Sequence, residues 1–198
     1  IKELTGLLET FSKEQYDWAK KVIASAGLED RVELLLKDYR SLEGKYDRVV
    51  SVEMVEAVGA DFLGEYFFTL GNLLKPGGMA AVQAITIQDQ DFESASRHID
   101  FIKRYIFPGS CIPSVTAMCQ AMTSDSDLKL VHLEDFTPHY ATTLDRWSVA
   151  LQAHHDEARA MGLDDHFLRT WEYYFRYCEG GFVERHIGLV QMMLAKPK

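Results

Sequence analysis

The chain has 198 residues, and its 47% hydrophobic and 12% aromatic content is enough for the core of one compact unit and excludes a disordered chain. Its formal net charge of -9 argues against a nucleic-acid partner, because nucleic-acid surfaces need clustered Lys and Arg to displace counterions.

Helix and strand signals alternate through the first half of the chain. Ser12 and Gln15 form a capping-box pattern, and apolar residues then recur at helical spacing as far as Gly27. A second helix is predicted over 62–74, and the Pro- and Gly-containing segment 75–78 ends it. Short apolar runs predict buried strands over 31–36, 46–52 and 79–87.

The second half of the chain is predicted to be mainly helical, with strands only at 128–136 and at the end. Helical patterns cover 92–122, interrupted by the turn "FPGSCIPS", and then about 143–161 and 164–179. Alternating strands and helices with continuously apolar strands predict an α/β fold around a parallel sheet. We therefore expect one domain over 1–198, with helical insertions at 92–122 and 143–179.

The cysteines and the apolar runs predict a protein of a reducing compartment. Cys111, Cys119 and Cys178 show no metal-ligand spacing, which predicts free thiols and no metal site. The sequence has neither a signal-peptide pattern nor an apolar run of about 18 residues, and we expect a cytoplasmic protein. Because no methionine precedes Met54, we also expect these residues to be a piece of a longer chain.

Polar side chains follow the predicted strands. Glu53 and Glu56 come after the second strand, and Gln83 lies towards the end of the third. In open parallel sheets, ligands bind outside the carboxyl ends of the strands, so these residues are candidates for chemistry. Acidic residues there have a simpler explanation as well, since they favour the positive N-terminus of the next helix. We prefer that explanation for Glu53.

Several blocks of the sequence, in order, resemble one family. They are "FSKEQYDWAKKVI", "LKDYRSLEGKYDRVVSVEMVEAVG", "LLKPGGMAAVQAITI", "FIKRYIFPGSCIPS", "PHYATTLDRWSVAL" and "WEYYFRYCEGGF". They are similar to the cyclopropane-fatty-acyl-phospholipid synthases and the related mycolic acid methyltransferases over almost the whole chain. The resemblance implies a Rossmann-like class I methyltransferase fold, S-adenosylmethionine as cofactor, and alkylation of a double bond in an unsaturated phospholipid acyl chain to give a cyclopropane.

The resemblance also implies a set of site residues. Bound bicarbonate is expected to act as the base, held by the side chains of Glu56, Gln83 and Tyr174 and by the backbone of Ile85. Glutamine at position 83 departs from the mycolic acid enzymes, which have a histidine there, so a proton relay through that position is in doubt. His139 and Tyr140 are expected to order the site. The cofactor is expected to contact Ser12, Gln15, Asp38, Tyr39 and Ser51.

Two features of the family are missing from the sequence. No Gly-rich loop of the E/D-x-G-x-G-x-G type occurs, and Glu9 is only a weak candidate for the acid that holds the cofactor ribose. We expect the central first strand of the sheet to be absent, with a truncated chain or a second copy as the explanation. Alternatives to the synthase are an inactive or lipid-binding remnant and a small-molecule methyltransferase. Peripheral contact with the inner membrane face and homo-oligomerisation are further expectations.

Overall fold

A computed structural model describes residues 6–10 and 12–198. The chain divides into two compact units, residues 1–45 and residues 46–198. Each unit contains its own sheet of the described strands, two-stranded in the first and four-stranded in the second. Strands and helices are numbered below in chain order.

The first unit is a small parallel pair of strands with one helix. Strand β1 (Gly6–Thr10) pairs in parallel with β2 (Val32–Leu36), and helix α1 (Lys13–Ser25) connects them. Ser12 caps α1 by accepting a 3.3 Å hydrogen bond from the backbone N–H of Gln15. The reciprocal half of the predicted capping box does not form, because the Gln15 side chain accepts from Thr10 Oγ1 instead.

The second unit is built on a mixed sheet. Its strands are β3 (Tyr46–Val52), β4 (Leu74–Ile87), β5 (Lys129–Asp135) and β6 (Ile187–Ala195), in the order β3-β4-β6-β5. β3 and β4 pair in parallel, and β5 runs in the same direction as both, while β6 is antiparallel to its two neighbours β4 and β5. The expectation of a parallel sheet therefore holds for β3, β4 and β5 and is wrong for β6 alone, which inserts in the opposite direction between β4 and β5.

The segment predicted as a helix stop is also part of a strand. Pairing along β3 and β4 jumps from Tyr46 and Leu74 to Arg48 and Met79, so residues 75–78 bulge out of the ladder. A Cβ on Gly78 would lie only 2.8 Å from the carbonyl oxygen of Lys75, and only glycine permits this close approach.

The helices of the second unit lie near their predicted places, with shifted ends. Thr137 begins the long helix six residues before the predicted start, since Asp135 accepts its backbone N–H and Pro138 suits the first turn. The described helices of the second unit are α2 (Val55–Val58), α3 (Leu63–Leu73), α4 (Asp89–Arg97), α5 (Val115–Asp125), α6 (Thr137–Ala153), α7 (His155–Ala160) and α8 (Asp165–Val183). Short 3₁₀ turns lie at Tyr39–Ser41 in the first unit and at Ala60–Phe62 in the second, which also has a π-helical turn at Ile102–Ile106.

Aromatic and aliphatic side chains hold α6 and α8 against β6. The buried cluster consists of Tyr140, Leu144, Phe175, Phe182 and Leu189. Burial of an aromatic or leucine side chain contributes about 2 kcal/mol, so this cluster fixes the helix that carries Tyr140. All three cysteines are free thiols, as predicted. None of the described helices has both the length and the apolar character needed to cross a membrane.

Candidate active site

Glu53 lies directly after β3 in an unusual backbone conformation. Its φ angle is +50°, a left-handed value that costs a non-glycine residue about 1–2 kcal/mol. Its backbone N–H donates to the carbonyl oxygen of Gln83 at 2.9 Å, which continues the pairing of Val52 with Gln83. The chain thus leaves the sheet with the Glu53 side chain beside β4.

A network of hydrogen bonds fixes the Glu53 carboxylate. Gln83 Nε2 donates to Glu53 Oε1 at 2.8 Å, and the Tyr140 hydroxyl donates to Oε2 at 2.6 Å. Gln83 Oε1 in turn accepts a hydrogen bond from Gln191 Nε2 at 2.8 Å. These two residues lie opposite each other on the paired strands β4 and β6. Burial, and then the hydrogen bond to Glu53, raises the pKa of Tyr140, so its hydroxyl keeps the proton that it donates.

Glu56 forms a separate contact at the start of α2. Its Oε1 accepts a 2.5 Å hydrogen bond from the backbone N–H of Ile85, and its own carbonyl accepts from Cys111 N at 2.8 Å. Its Oε2 is buried and has no hydrogen-bond partner among the described residues. Burial raises the pKa of Glu56 to about 7, despite the opposing backbone hydrogen bonds. The structure therefore places Glu56 next to Ile85 through a direct hydrogen bond, and their predicted role as ligands of one bound anion stays a prediction.

Tyr174 lies on α8 in an aromatic group. Its ring meets Phe107 edge-on at 5.9 Å between centroids and Trp171 at 5.4 Å. Burial is the main cause that raises its pKa, followed by the charges of Cys178 and Glu53. Among the described residues, Tyr174 thus packs with aromatic rings and makes no hydrogen bond to Glu53.

An open cleft of about 520 Å³ begins at Glu53. Its lining combines one carboxylate, one amide and several rings: Val52, Glu53, Gln83, Phe136, His139, Tyr140, Thr143, Trp147 and Leu189. Glu56 is not part of this lining. Aromatic and aliphatic walls with a few fixed polar groups are typical of small-ligand and acyl-chain sites.

The residues predicted to contact the cofactor have other contacts in the structure. Ser12 and Gln15 form the start of α1, and Asp38 caps the turn that begins at Tyr39. Hydrogen bonds from the Arg40 side chain and backbone lower the pKa of Asp38 to about 2. Their assignment to the cofactor stays a prediction.

Ser51 is the one predicted cofactor residue of the second unit. Its side chain is buried, and its Oγ accepts a 2.8 Å hydrogen bond from the Tyr66 hydroxyl. This contact holds α3 against β3, and it leaves the Ser51 hydroxyl as part of the core.

Sequence reasoning missed the role of Glu53. The carboxylate of Glu53 was expected to contact a helix N-terminus. Helix α2 begins at Val55, but the two oxygens of Glu53 accept hydrogen bonds from Gln83 and Tyr140 instead. A signal was present: Gln83 and Gln191 are polar residues in otherwise apolar strands. Such residues need partners when a sheet is covered.

The sheet and its helices define an α/β protein, and this fold matches that of S-adenosylmethionine-dependent methyltransferases. The chain superimposes on the cyclopropane synthase MmaA2 from Mycobacterium tuberculosis with a TM-score of 0.87 and 26% identity, over 97% of this chain and 70% of that one. Residues 4–192 match the sequence model described as mycolic acid cyclopropane synthetase. The chain belongs to this family of enzymes, as the sequence blocks predict.

Two relatives of known name are about twice as long as this chain. The tuberculostearic acid methyltransferase UfaA1 of Mycobacterium tuberculosis is 40% identical over 188 residues, which are 94% of this chain and 44% of that protein. The cyclopropane-fatty-acyl-phospholipid synthase of Escherichia coli K12 is 34% identical, over 94% of this chain and 46% of its own. The chain therefore spans about half the length of these relatives.

Proposed function

We propose that the protein carrying this chain transfers a methyl group from S-adenosylmethionine to the double bond of an unsaturated phospholipid acyl chain and forms a cyclopropane. The observation that carries this proposal is the cleft, which is lined by the hydrogen-bonded carboxylate of Glu53 and by several aromatic side chains. The family and the printed names of its relatives, a tuberculostearic acid methyltransferase and a fatty-acyl-phospholipid synthase, support an acyl acceptor.

The cleft suits the charge that this reaction creates. An alkene is a weak nucleophile, and its alkylation leaves positive charge on the acyl chain until a proton departs. The Glu53 carboxylate supplies negative charge where that cation forms, and the aromatic rings of Tyr140 and Trp147, which line the same cleft, add cation–π attraction of about 0.5–2 kcal/mol. Apolar side chains such as Leu189 and Phe136 complete a wall suited to methylene groups.

The cofactor supplies an electrophilic methyl group on a sulfonium. Asp38 fits a place in its site, because its carboxylate is partly exposed and a low pKa keeps it ionised, able to accept from an adenine amino group. Tyr39, Ser12 and Gln15 are the other residues of the first unit that we expect to contact the cofactor. Ser51 fits less well, since its hydroxyl is buried against Tyr66.

Bicarbonate as the base fits the residues only in part. The unpartnered Oε2 of Glu56 could accept a hydrogen bond from a hydroxyl. Two of the other three expected donors are engaged within the chain: the Ile85 N–H with Glu56, and the Gln83 amide with Glu53 and Gln191. A second anion there would also face the negative charge of Glu53. We therefore derive no step through bicarbonate.

Product analysis tests the proposed function. The protein carrying this chain is incubated with labelled S-adenosylmethionine and vesicles of dioleoyl or fully saturated phospholipid, and the released fatty acids are analysed by mass spectrometry. We expect label only in the unsaturated chain, with a mass gain of one CH₂ and loss of its double bond. Label confined to headgroups or to water-soluble acceptors would show a different methyltransferase.

A further inference from the structure

We propose that the Glu53 carboxylate, and not a bound anion, accepts the proton that the alkylated acyl chain releases. This inference rests on the proposed methyl transfer and adds a catalytic residue to it. Tyr140 and Gln83 are then positioning residues, which hold the carboxylate and do not react.

Position distinguishes Glu53 from Glu56. Glu53 lines the cleft, whereas Glu56 is directed to the backbone of Ile85 and does not line it. Of these two carboxylates that follow β3, only Glu53 can therefore meet a substrate in the cleft.

The contacts of Glu53 hold it still without using all its acceptor capacity. Each oxygen accepts one hydrogen bond, from Gln83 at 2.8 Å and from Tyr140 at 2.6 Å. A carboxylate has about four acceptor positions, so each oxygen retains one. General bases work when they are fixed within reach of the proton that they remove.

The backbone at Glu53 is a second indication of a specific role. A left-handed φ of +50° is a cost that a glycine would avoid, and such strain concentrates at functional sites. The conformation allows the residue both to continue the β3–β4 pairing through its N–H and to turn its side chain to Gln83 and Tyr140.

Glu53 takes part in the reaction after the methyl group has left the cofactor. The bond between sulfur and methyl breaks with its electron pair on sulfur, and the π pair of the alkene forms the new C–C bond. Glu53 accepts a proton from the added methyl group, and the C–H bonding pair closes the cyclopropane ring on the cationic carbon. Glu53 ends as a neutral acid and returns its proton to water before the next turnover.

The experiment compares Glu53→Gln, Glu53→Asp and Glu134→Gln in the protein that carries this chain. Glu134 is an exposed carboxylate on β5, so its variant controls for the loss of one charge. Turnover is measured in CO₂-free buffer and with added bicarbonate. Calorimetry measures binding of octyltrimethylammonium, which mimics the cationic centre, and of dimethyloctylamine N-oxide, which has no net charge.

We expect wild-type turnover to be the same in both buffers. Glu53→Gln should lower kcat about 100-fold and leave the KM for S-adenosylmethionine unchanged. It should weaken octyltrimethylammonium severalfold but not the N-oxide. Glu53→Asp, which keeps the charge but withdraws the carboxylate, should keep ammonium binding and lose part of kcat, which separates catalysis from folding. Glu134→Gln should match the wild type throughout.

Two results would overturn the inference. One is a requirement of the wild type for bicarbonate, and the other is wild-type kcat in Glu53→Gln; in both, methylation of the lipid still takes place and the proposed function stands. If the wild type methylates no acyl chain in either buffer, the proposed function fails and the inference fails with it.

Discussion

The Tyr140 hydroxyl donates a 2.6 Å hydrogen bond to Oε2 of Glu53, which lies 87 positions earlier in the chain. We expect Tyr140→Phe to lower kcat on the order of tenfold with little change in the KM for lipid, because the ring remains and only the contact that orients the carboxylate is lost. Steady-state kinetics measures this split. An equal rise in KM would show that Tyr140 binds substrate directly.

The strained backbone of Glu53 leads to a stability prediction. Glu53→Ala and Glu53→Gly remove the same carboxylate, but only glycine accepts a φ of +50° without strain. Glu53→Ala should therefore be the less stable of the two by roughly 1 kcal/mol in urea denaturation. In α4, the exposed Glu93 should show the reverse order, since glycine disfavours a helix by about 1 kcal/mol. Equal stability of the two Glu53 variants would contradict the left-handed conformation.

The raised pKa of Glu56 should make the stability of the protein depend on pH. Burial raises its pKa from 4.5 to about 7 in the folded protein, so between these values the folded state binds more protons than the unfolded state. Its contribution to the free energy of unfolding should then fall as pH rises from about 4.5 to about 7, and should stay constant above. The total change should be on the order of a few kcal/mol.

Denaturation of the wild type and of Glu56→Gln at several pH values isolates this contribution. The difference between the two proteins should move in favour of the variant as pH rises through that window. A constant difference would mean that the carboxylate of Glu56 is solvated in the folded protein.

Local pattern identified the strands and helices because burial imposes its period on the sequence. Along β4, from Met79 to Ile87, buried residues alternate with partly exposed ones, and this segment was predicted correctly. The place of β6 was not, because an apolar run shows which residues are buried but not which strand pairs with it. It lies antiparallel beside β4, and residues of α6 and α8, which precede it in the chain, pack against it.

The candidate site was predicted in the same uneven way. Motif position predicts Glu56 and Ile85 as ligands of one anion; in the structure the Ile85 N–H donates to Glu56 itself, and the predicted role stays a prediction. The pairing of Glu53 with Tyr140 depends on packing of α6 and on a left-handed φ. Neither is visible as a spacing in the sequence. Sequence reasoning therefore assigned Glu53 to the N-terminus of the next helix, whereas in the structure it bonds to Tyr140 and lines the cleft.

Strand pairing bears on the prediction that a central strand is missing. Among the described strands, β1 pairs only with β2, and β3 only with β4. One edge of β3 is therefore unpaired among the described strands. On this strand Val50 and Val52 are 69% and 59% exposed, although valine side chains are usually buried. Such an edge promotes pairing with another chain.

We therefore expect these 198 residues, produced alone, to self-associate through β3. Sedimentation velocity should show dimers or larger species, and Val50→Lys should reduce them, because a lysine on an edge strand opposes pairing. Val183, also exposed but at the end of α8, provides the control Val183→Lys, which should leave association unchanged. A folded monomer that unfolds cooperatively would contradict both this expectation and the missing strand.

Two buried serines of the second unit should respond oppositely to the same substitution. Ser148 on α6 is fully buried, and its hydroxyl has no partner among the described residues. Ser114 is also buried, but its Oγ caps α5 by accepting from Ala117 N at 3.1 Å. Ser148→Ala should raise the free energy of unfolding by about 1 kcal/mol, since it removes an unsatisfied polar group, whereas Ser114→Ala should lower it by about 1 kcal/mol. Urea denaturation of both variants measures this, and loss of stability in Ser148→Ala would mean that its hydroxyl has a hydrogen-bond partner after all.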